Sequence, residues 1–419
     1  MNLFDVVAIL VVLAALFGFL NRRYLKLEAT VGMMLIGLVS SLMLVSLHHL
    51  FPDIGLVSAI RDYLTNIDFN KALMEGMLGF LLFAGALHVD LDFFAEKKWT
   101  IVSLATVGLL ISMAVVGVLS LLLFGVLGLE VSLIACLIFG SLISPTDPIA
   151  VMGTLKTLDA PPSLHAKIAG ESLFNDGVAV VVFTSLVALL GTGGGAHGTH
   201  GGEMNSAALF LLFLQETGGG IVLGLVAGYS VYRMMLSIDA YSVEVLLTLG
   251  LVMGCYSLAR LLHLSGPIAV VCAGIFIGNR GRALAMSETV VDYLEKFWEL
   301  IDEMLNAVLF LLIGIEVLVI AFSPTSVAAG IACIGIVLLA RLISVSVPIS
   351  LMRSRREFTP GVVRILTWAG LRGGISVALV LSLPPIPEKA LLVTCTYVVV
   401  LFSIIVQGLT IKRVLTRFI

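Results

Sequence analysis

Charge is scarce in this chain. Asp, Glu, Lys and Arg make up 12% of 419 residues, while 59% are hydrophobic. A water-soluble domain this apolar could not cover itself with polar surface. No polar stretch is long enough for a separate soluble domain, so the chain reads as one membrane unit. The net charge of −3 gives no reason to expect nucleic acid or any strongly charged partner. Cysteine is sparse too. Cys136, Cys255, Cys272, Cys333 and Cys395 all fall inside apolar runs, without metal-ligand or disulfide-framework spacing, and no cofactor is expected. A signal peptide is also missing from the reading: Arg22 and Arg23 follow the first apolar run instead of preceding it, and no small-residue cleavage pattern comes after.

What the chain does have is apolar runs of about 20 residues along its length, the length at which a helix crosses a bilayer. They fall at approximately 3–20, 30–46, 72–89, 99–127, 131–155, 164–190, 206–234, 242–260, 265–279, 289–321, 325–352, 361–383 and 389–411. This predicts an all-α polytopic membrane protein of 13 transmembrane helices. Seventeen basic residues fall in loops on one face and four on the other. The positive-inside rule then places the N-terminus outside and the C-terminus in the cytoplasm of a cell (inner or plasma) membrane. Gly191–Gly202 reads as a flexible linker with solvated His197 and His200. Asp292, Glu295, Glu299, Asp302 and Glu303 share one side of span ten, and are expected to form an amphipathic turn at the cytoplasmic surface.

A charge at bilayer depth costs about 2.5–3.5 kcal/mol, so each needs a partner or a role. Span five contains Ser144-Pro145-Thr146-Asp147-Pro148, where two prolines predict an interrupted helix. Its freed carbonyls, the Thr146 hydroxyl and the Asp147 carboxylate suit a hard cation such as sodium. Span six contains Gly170-Glu171-Ser172-Leu173-Phe174-Asn175-Asp176-Gly177. Ser172 and Asp176 share one helical face, Glu171 and Asn175 the next. A buried Asp176 would favour a proton whenever no metal ion is present, and one carboxylate with two exclusive guests suffices for exchange. In span eleven Arg341 cannot shed its charge and needs an acid; Glu171 is the candidate, since Asp176 must stay free to titrate. Span twelve holds a second predicted break, Gly370-Leu371-Arg372-Gly373-Gly374, where Arg372 would balance the half-helix ends. Glu316 lies outside this set and receives no role.

Spans one to six and eight to thirteen form two sets of six around span seven. The fifth member of each set is broken, which matches the inverted-repeat plan of secondary transporters with discontinuous helices 5 and 12. The seven histidines sit mainly at span ends and in loops, which argues against a hydrolase constellation and an enzyme.

These stretches resemble the monovalent cation/proton antiporters, in the branch holding NhaP-type proteins and animal sodium/hydrogen exchangers. Besides the motifs of spans five and six, Ser265-Gly266-Pro267-Ile268-Ala269-Val270, Phe310-Leu311-Leu312-Ile313-Gly314-Ile315-Glu316, Ala340-Arg341-Leu342-Ile343-Ser344-Val345 and Trp368-Ala369-Gly370-Leu371-Arg372-Gly373-Gly374 carry the resemblance, in order. It implies an antiporter exchanging Na+ or Li+ for H+ by alternating access. K+/H+ exchange on the same fold, or a passive cation channel, are the alternatives. It further implies a homodimer in the lipid bilayer, with a dimerisation part at approximately 1–95 and 240–323, a core part at 97–190 and 324–417, and a linker helix at 204–236. Asp176 and Ser172 would bind the transported ion, helped by the Thr146 backbone and Asp147, while Glu171 and Arg341 would pair. The Asn175-Asp176 form of the motif implies electroneutral one-for-one exchange. One stretch departs from the pattern. Ala84-Gly85-Ala86-Leu87-His88-Val89-Asp90 stands where relatives often carry an acidic residue or a second glycine, in the expected dimerisation part and away from the proposed site.

Overall fold

The computed structural model describes residues 3–50, 77–89, 91, 99–158, 162–190, 206–316, 323–353 and 361–418. The linker histidines His197 and His200, Asp90 and the side chain of Glu316 lie outside the described residues. Nearly everything described is helical, as a chain with no water to satisfy its backbone must be. The helices are α1 (Leu3–Leu20), α2 (Ala29–Leu50), α3 (Leu78–Leu87), α4 (Leu109–Val126), α5 (Leu133–Ile143), α6 (Ile149–Thr157), α7 (Pro162–Leu189) and α8 (Ser206–Met235). They continue with α9 (Tyr241–Leu261), α10 (Gly266–Phe276), α11 (Glu288–Glu316), α12 (Pro324–Met352), α13 (Val362–Trp368), α14 (Gly374–Leu381), α15 (Lys389–Phe402) and α16 (Gly408–Phe418). Among the described residues, six helical stretches are long and apolar enough to cross a bilayer: Ala8–Leu25, Trp99–Val126, Lys167–Leu189, Tyr241–Leu261, Pro324–Met352 and Lys389–Arg417.

Packing sorts the helices into two groups. In one, α4 lies against α5 and α12, α12 against α15, and α5 against α7 and α14. In the other, α2 crosses α11, while α3 packs against α10 and α11, and α8 and α9 against α10. The groups meet where α3 and α10 touch α7, and where α11 touches α14. Lipid-soluble helices gain little from burying more hydrocarbon, so close backbone approach at small residues has to hold them together. At the α2–α11 crossing, a Cβ on Gly314 would lie 2.9 Å from the Leu38 nitrogen and 3.0 Å from Gly37. The Ser41 hydroxyl donates to the Gly314 carbonyl at 2.9 Å across the same seam.

Two features differ from the hydropathy reading. The last helical stretch runs on to Phe418, beyond the expected limit at 411. Ile411 and Leu415, four apart, are fully buried, while Lys412, Arg413 and Arg417 point outward, so an amphipathic turn continues where the uniformly apolar run stops. Short π-helical segments, Leu104–Gly108, Ile277–Gly281 and Ser403–Gln407, interrupt three spans without a proline to announce them.

Candidate functional site

Helices α5 and α13 both stop within the bundle. The last carbonyls of α5 lose their partners for a covalent reason: the helical donor for Ser144 would be the N–H of residue 148, which is proline. The chain runs extended through Thr146 and Asp147 and restarts as α6. On the other side α13 ends at Trp368 and α14 begins at Gly374. The two interruptions cross, and the Asp147 N–H donates to the Leu371 carbonyl at 2.8 Å in an isolated antiparallel bridge. Glycine permits this approach. A Cβ on Gly373 would collide with the Asp147 carboxylate, and one on Gly370 with the Arg341 guanidinium.

Arg372 replaces the missing donors. Its Nη1 donates to the Ser144 carbonyl and, at 2.8 Å, to the Pro145 carbonyl, and the side chain is buried. A positive charge thus sits at the negative end of the α5 dipole. The Arg372 backbone N–H donates to Ser403 Oγ at 2.8 Å, and Ser403 donates to Gln407 Oε1 at 2.7 Å. Gln407 closes the loop by donating to the Trp368 carbonyl at 3.1 Å. The polar residues of this π-helical segment carried no charge or motif by which the sequence could mark them.

Helix α7 supplies the other half. Thr146 Oγ1 lies 3.0 Å from Ser172 Oγ, and Asn175 Nδ2 donates to Thr146 Oγ1 at 2.9 Å. Asn175 Oδ1 accepts from the Thr146 N–H at 3.4 Å. Both ends of the Asn175 amide therefore hold the extended segment. Ser172 and Asn175 stand behind Thr146, while Asp176, one turn on from Ser172, reaches the adjoining cavity beside Thr146 and Asp147. Asp176 keeps 8% exposure, against 2% for Glu171 and 1% for Asn175. Of the polar residues singled out on this helix, only Asp176 lines the cavity. On the far side of α7, Glu171 Oε1 is paired with Arg341 Nη1, and Arg341 Nε donates to the Leu366 carbonyl at 3.2 Å. Both members of the pair are buried.

The cavity has a volume of about 860 Å³. Thr146, Asp147, Asp176, Gly373 and Ser376 line one wall. The opposite wall is α11, with Glu299, Asp302, Glu303 and Asn306. The surface reading of that acidic stripe therefore holds only for its first turns: Glu295 pairs with Arg282 at 2.6 Å and Asp292 with Lys296 at 2.7 Å. From Glu299 onward the same face turns into the cavity, because Leu294 and Trp298 bury the other side of the helix. A second expectation is also corrected. Gly85 and His88 line this cavity with Asp176, so the departing stretch of α3 does adjoin the site. The His88 ring Nδ1 lies 2.8 Å from the Ala84 carbonyl.

The family described as "Sodium/hydrogen exchanger, transmembrane" matches residues 9–417. The chain is similar to the Na(+)/H(+) antiporter NhaP of Pseudomonas aeruginosa, 48% identical over 417 residues, covering 99% of this chain and 96% of that one. It is 32% identical over 399 residues to the Na(+)/H(+) antiporter NhaH of Halobacillus aidingensis, covering 94% and 93%. Its fold is similar to that of the sodium proton antiporter MjNhaP1 from Methanocaldococcus jannaschii at pH 8. The TM-score is 0.76 at 19% identity, covering 99% of this chain and 98% of that one.

Proposed function

The chain belongs to the sodium/hydrogen exchanger family, and from that premise we propose that it is an integral membrane antiporter exchanging Na+ or Li+ for H+ at Asp176. The observation that carries this reading is a lone carboxylate of α7 reaching a cavity at the crossing of two interrupted helices. Leaving Asp176 ionised there without a partner is costly, so either a proton or an alkali cation must neutralise it. The two guests compete for the same oxygens, and a site that crosses the membrane only when neutralised exchanges one for the other.

The surrounding residues divide the work. Thr146 and Asp147 offer oxygen ligands to a hard cation. Ser172 and Asn175 position Thr146. Arg372 fixes the broken ends, so the site needs no cation to hold its shape. Glu171 and Arg341 compensate each other, leaving Asp176 as the group that titrates. With one exchangeable carboxylate of this kind, transport is electroneutral, one ion for one proton.

The cavity lining extends to Asn21, the exposed Arg22 and Glu28, at the end of α1 where basic residues collect. The positive-inside rule makes that face cytoplasmic, so this conformation is open inward, with the N-terminus outside. We read the protein as thirteen spans in two inverted repeats. Helices α4–α7 and α12–α16 form a mobile core, and α1–α3 with α9–α11 form the dimerisation part of a homodimer. Alternating access follows when the core carries Asp176 past α11.

The test is reconstitution into proteoliposomes with an internal pH dye. An imposed sodium gradient should drive proton movement of opposite direction, insensitive to a clamped membrane potential. Sodium flux at uniform pH without coupled protons would replace the reading with a passive channel, and coupling to potassium in preference to sodium would reassign the ion.

A further inference from the structure

Toward α16 one helical face changes its chemistry without turning. Val406 and Leu409 are 40% and 47% exposed, and on a membrane span such side chains meet lipid tails. Helical steps of three and four lead from Leu409 to Lys412 and Arg413, and from Arg413 to Thr416 and Arg417. All four of those residues are exposed. The stripe that touches hydrocarbon therefore turns basic along its own line, while Ile411 and Leu415 bury the opposite face.

The change falls at headgroup depth. About 20 residues of helix cross the hydrocarbon of a bilayer, and this span starts at Lys389, so that length ends near Leu409. At 1.5 Å per residue, Arg413 lies roughly 6 Å and Arg417 roughly 12 Å further out, where long side chains reach the phosphate layer. Among the described residues none of the three cations takes part in an ion pair. The helix itself is fixed. It packs against α6 and α13, the half-helices on either side of the crossing, and Trp368 Nε1 donates to Thr410 Oγ1 at 3.0 Å.

We propose that Lys412, Arg413 and Arg417 form a binding surface for anionic phospholipid headgroups, which anchors the helix group carrying Asp176 to the membrane surface. Basic residues that serve only to orient the chain during insertion can stand anywhere in a loop. These instead continue the lipid-facing line of a rigid helix, at the depth where phosphates lie. A headgroup held there is held by the helices that frame the site.

The experiment titrates the purified full-length protein in detergent with phosphatidylglycerol or phosphatidylcholine and follows thermal stability. One basic side chain near an anionic surface changes association roughly fivefold. Lys412→Gln/Arg413→Gln/Arg417→Gln should therefore raise the half-saturating phosphatidylglycerol concentration on the order of a hundredfold, and each single replacement roughly fivefold. Lys412→Arg/Arg413→Lys/Arg417→Lys keeps the charges and should stay within about twofold of wild type. A glutamine triple variant that needs no more phosphatidylglycerol than wild type would overturn the surface. Cations that only face the carbonyl end of their own helix predict that result, with a lower melting temperature in either lipid. Equal stabilisation of wild type by phosphatidylcholine, or by free glycerol phosphate, would overturn it as well, since the first carries no net charge and the second is no lipid. If the triple variant cannot be purified, the three single variants decide by the same criterion. No transport is measured, so the outcome is separate from that of the exchange reading.

Discussion

Replacing Arg341 by methionine removes one member of a buried pair and leaves Glu171 stranded at 2% exposure. Three things are lost together: the ion pair with Glu171, the donor to the Leu366 carbonyl at 3.2 Å, and the packing of the guanidinium against Gly370. Breaking a buried pair by removing one partner costs about 3–5 kcal/mol, chiefly because the remaining charge has no water to return to. The double variant Glu171→Gln/Arg341→Met removes the stranded charge and should recover most of that loss, since an apolar or neutral replacement of both partners is often close to neutral. The assay is thermal denaturation of the purified protein in detergent, followed by the loss of the monodisperse peak on size exclusion. The expected order is wild type, then the double variant close behind, then Arg341→Met well below both. An Arg341→Met protein as heat-stable as wild type, or a double variant no better than the single, would refute the reasoning.

Other substitutions probe the crossing. Arg372→Gln keeps a donor but removes the charge that faces the α5 carbonyls, and should lower stability by about 2 kcal/mol and slow exchange. Arg372→Lys should restore only part, because a single ammonium must span two carbonyls; equal activity of both variants would contradict the capping role. Gly373→Ala drives a methyl group into the Asp147 carboxylate and should abolish exchange while leaving helical content unchanged by circular dichroism. Normal transport by that variant would show that the approach of the two interruptions is dispensable.

The sequence carries most of this account where a covalent or charge rule forces the outcome. Pro145 and Pro148 remove two backbone donors only three residues apart, so the break around Thr146 and Asp147 is readable directly, whereas the single Pro348 lies inside unbroken α12. Arg341 cannot be neutralised, and the structure places Glu171 against it. Side-chain orientation was less legible. Helical spacing puts Ser172 and Asp176 on one face, but only packing decides that Ser172 turns to Thr146 while Asp176 reaches the cavity. The acidic face of α11 was visible as a stripe, but not that it curves from the surface into the cavity. Asn306 carries no charge to mark it in an apolar run, although its spacing from Asp302 and Glu303 continues the stripe. Ser403 and Gln407 depend on a π-helical segment that no residue pattern announces.

The most direct test is sodium-driven proton movement by Asp176→Asn in proteoliposomes, beside wild type reconstituted at equal density. The asparagine has almost the same volume but can neither ionise nor hold a proton in exchange for a metal ion. A correctly folded protein with no sodium-dependent pH change at any pH is expected. Sustained exchange by that variant would contradict the claim that Asp176 is where the two ions compete.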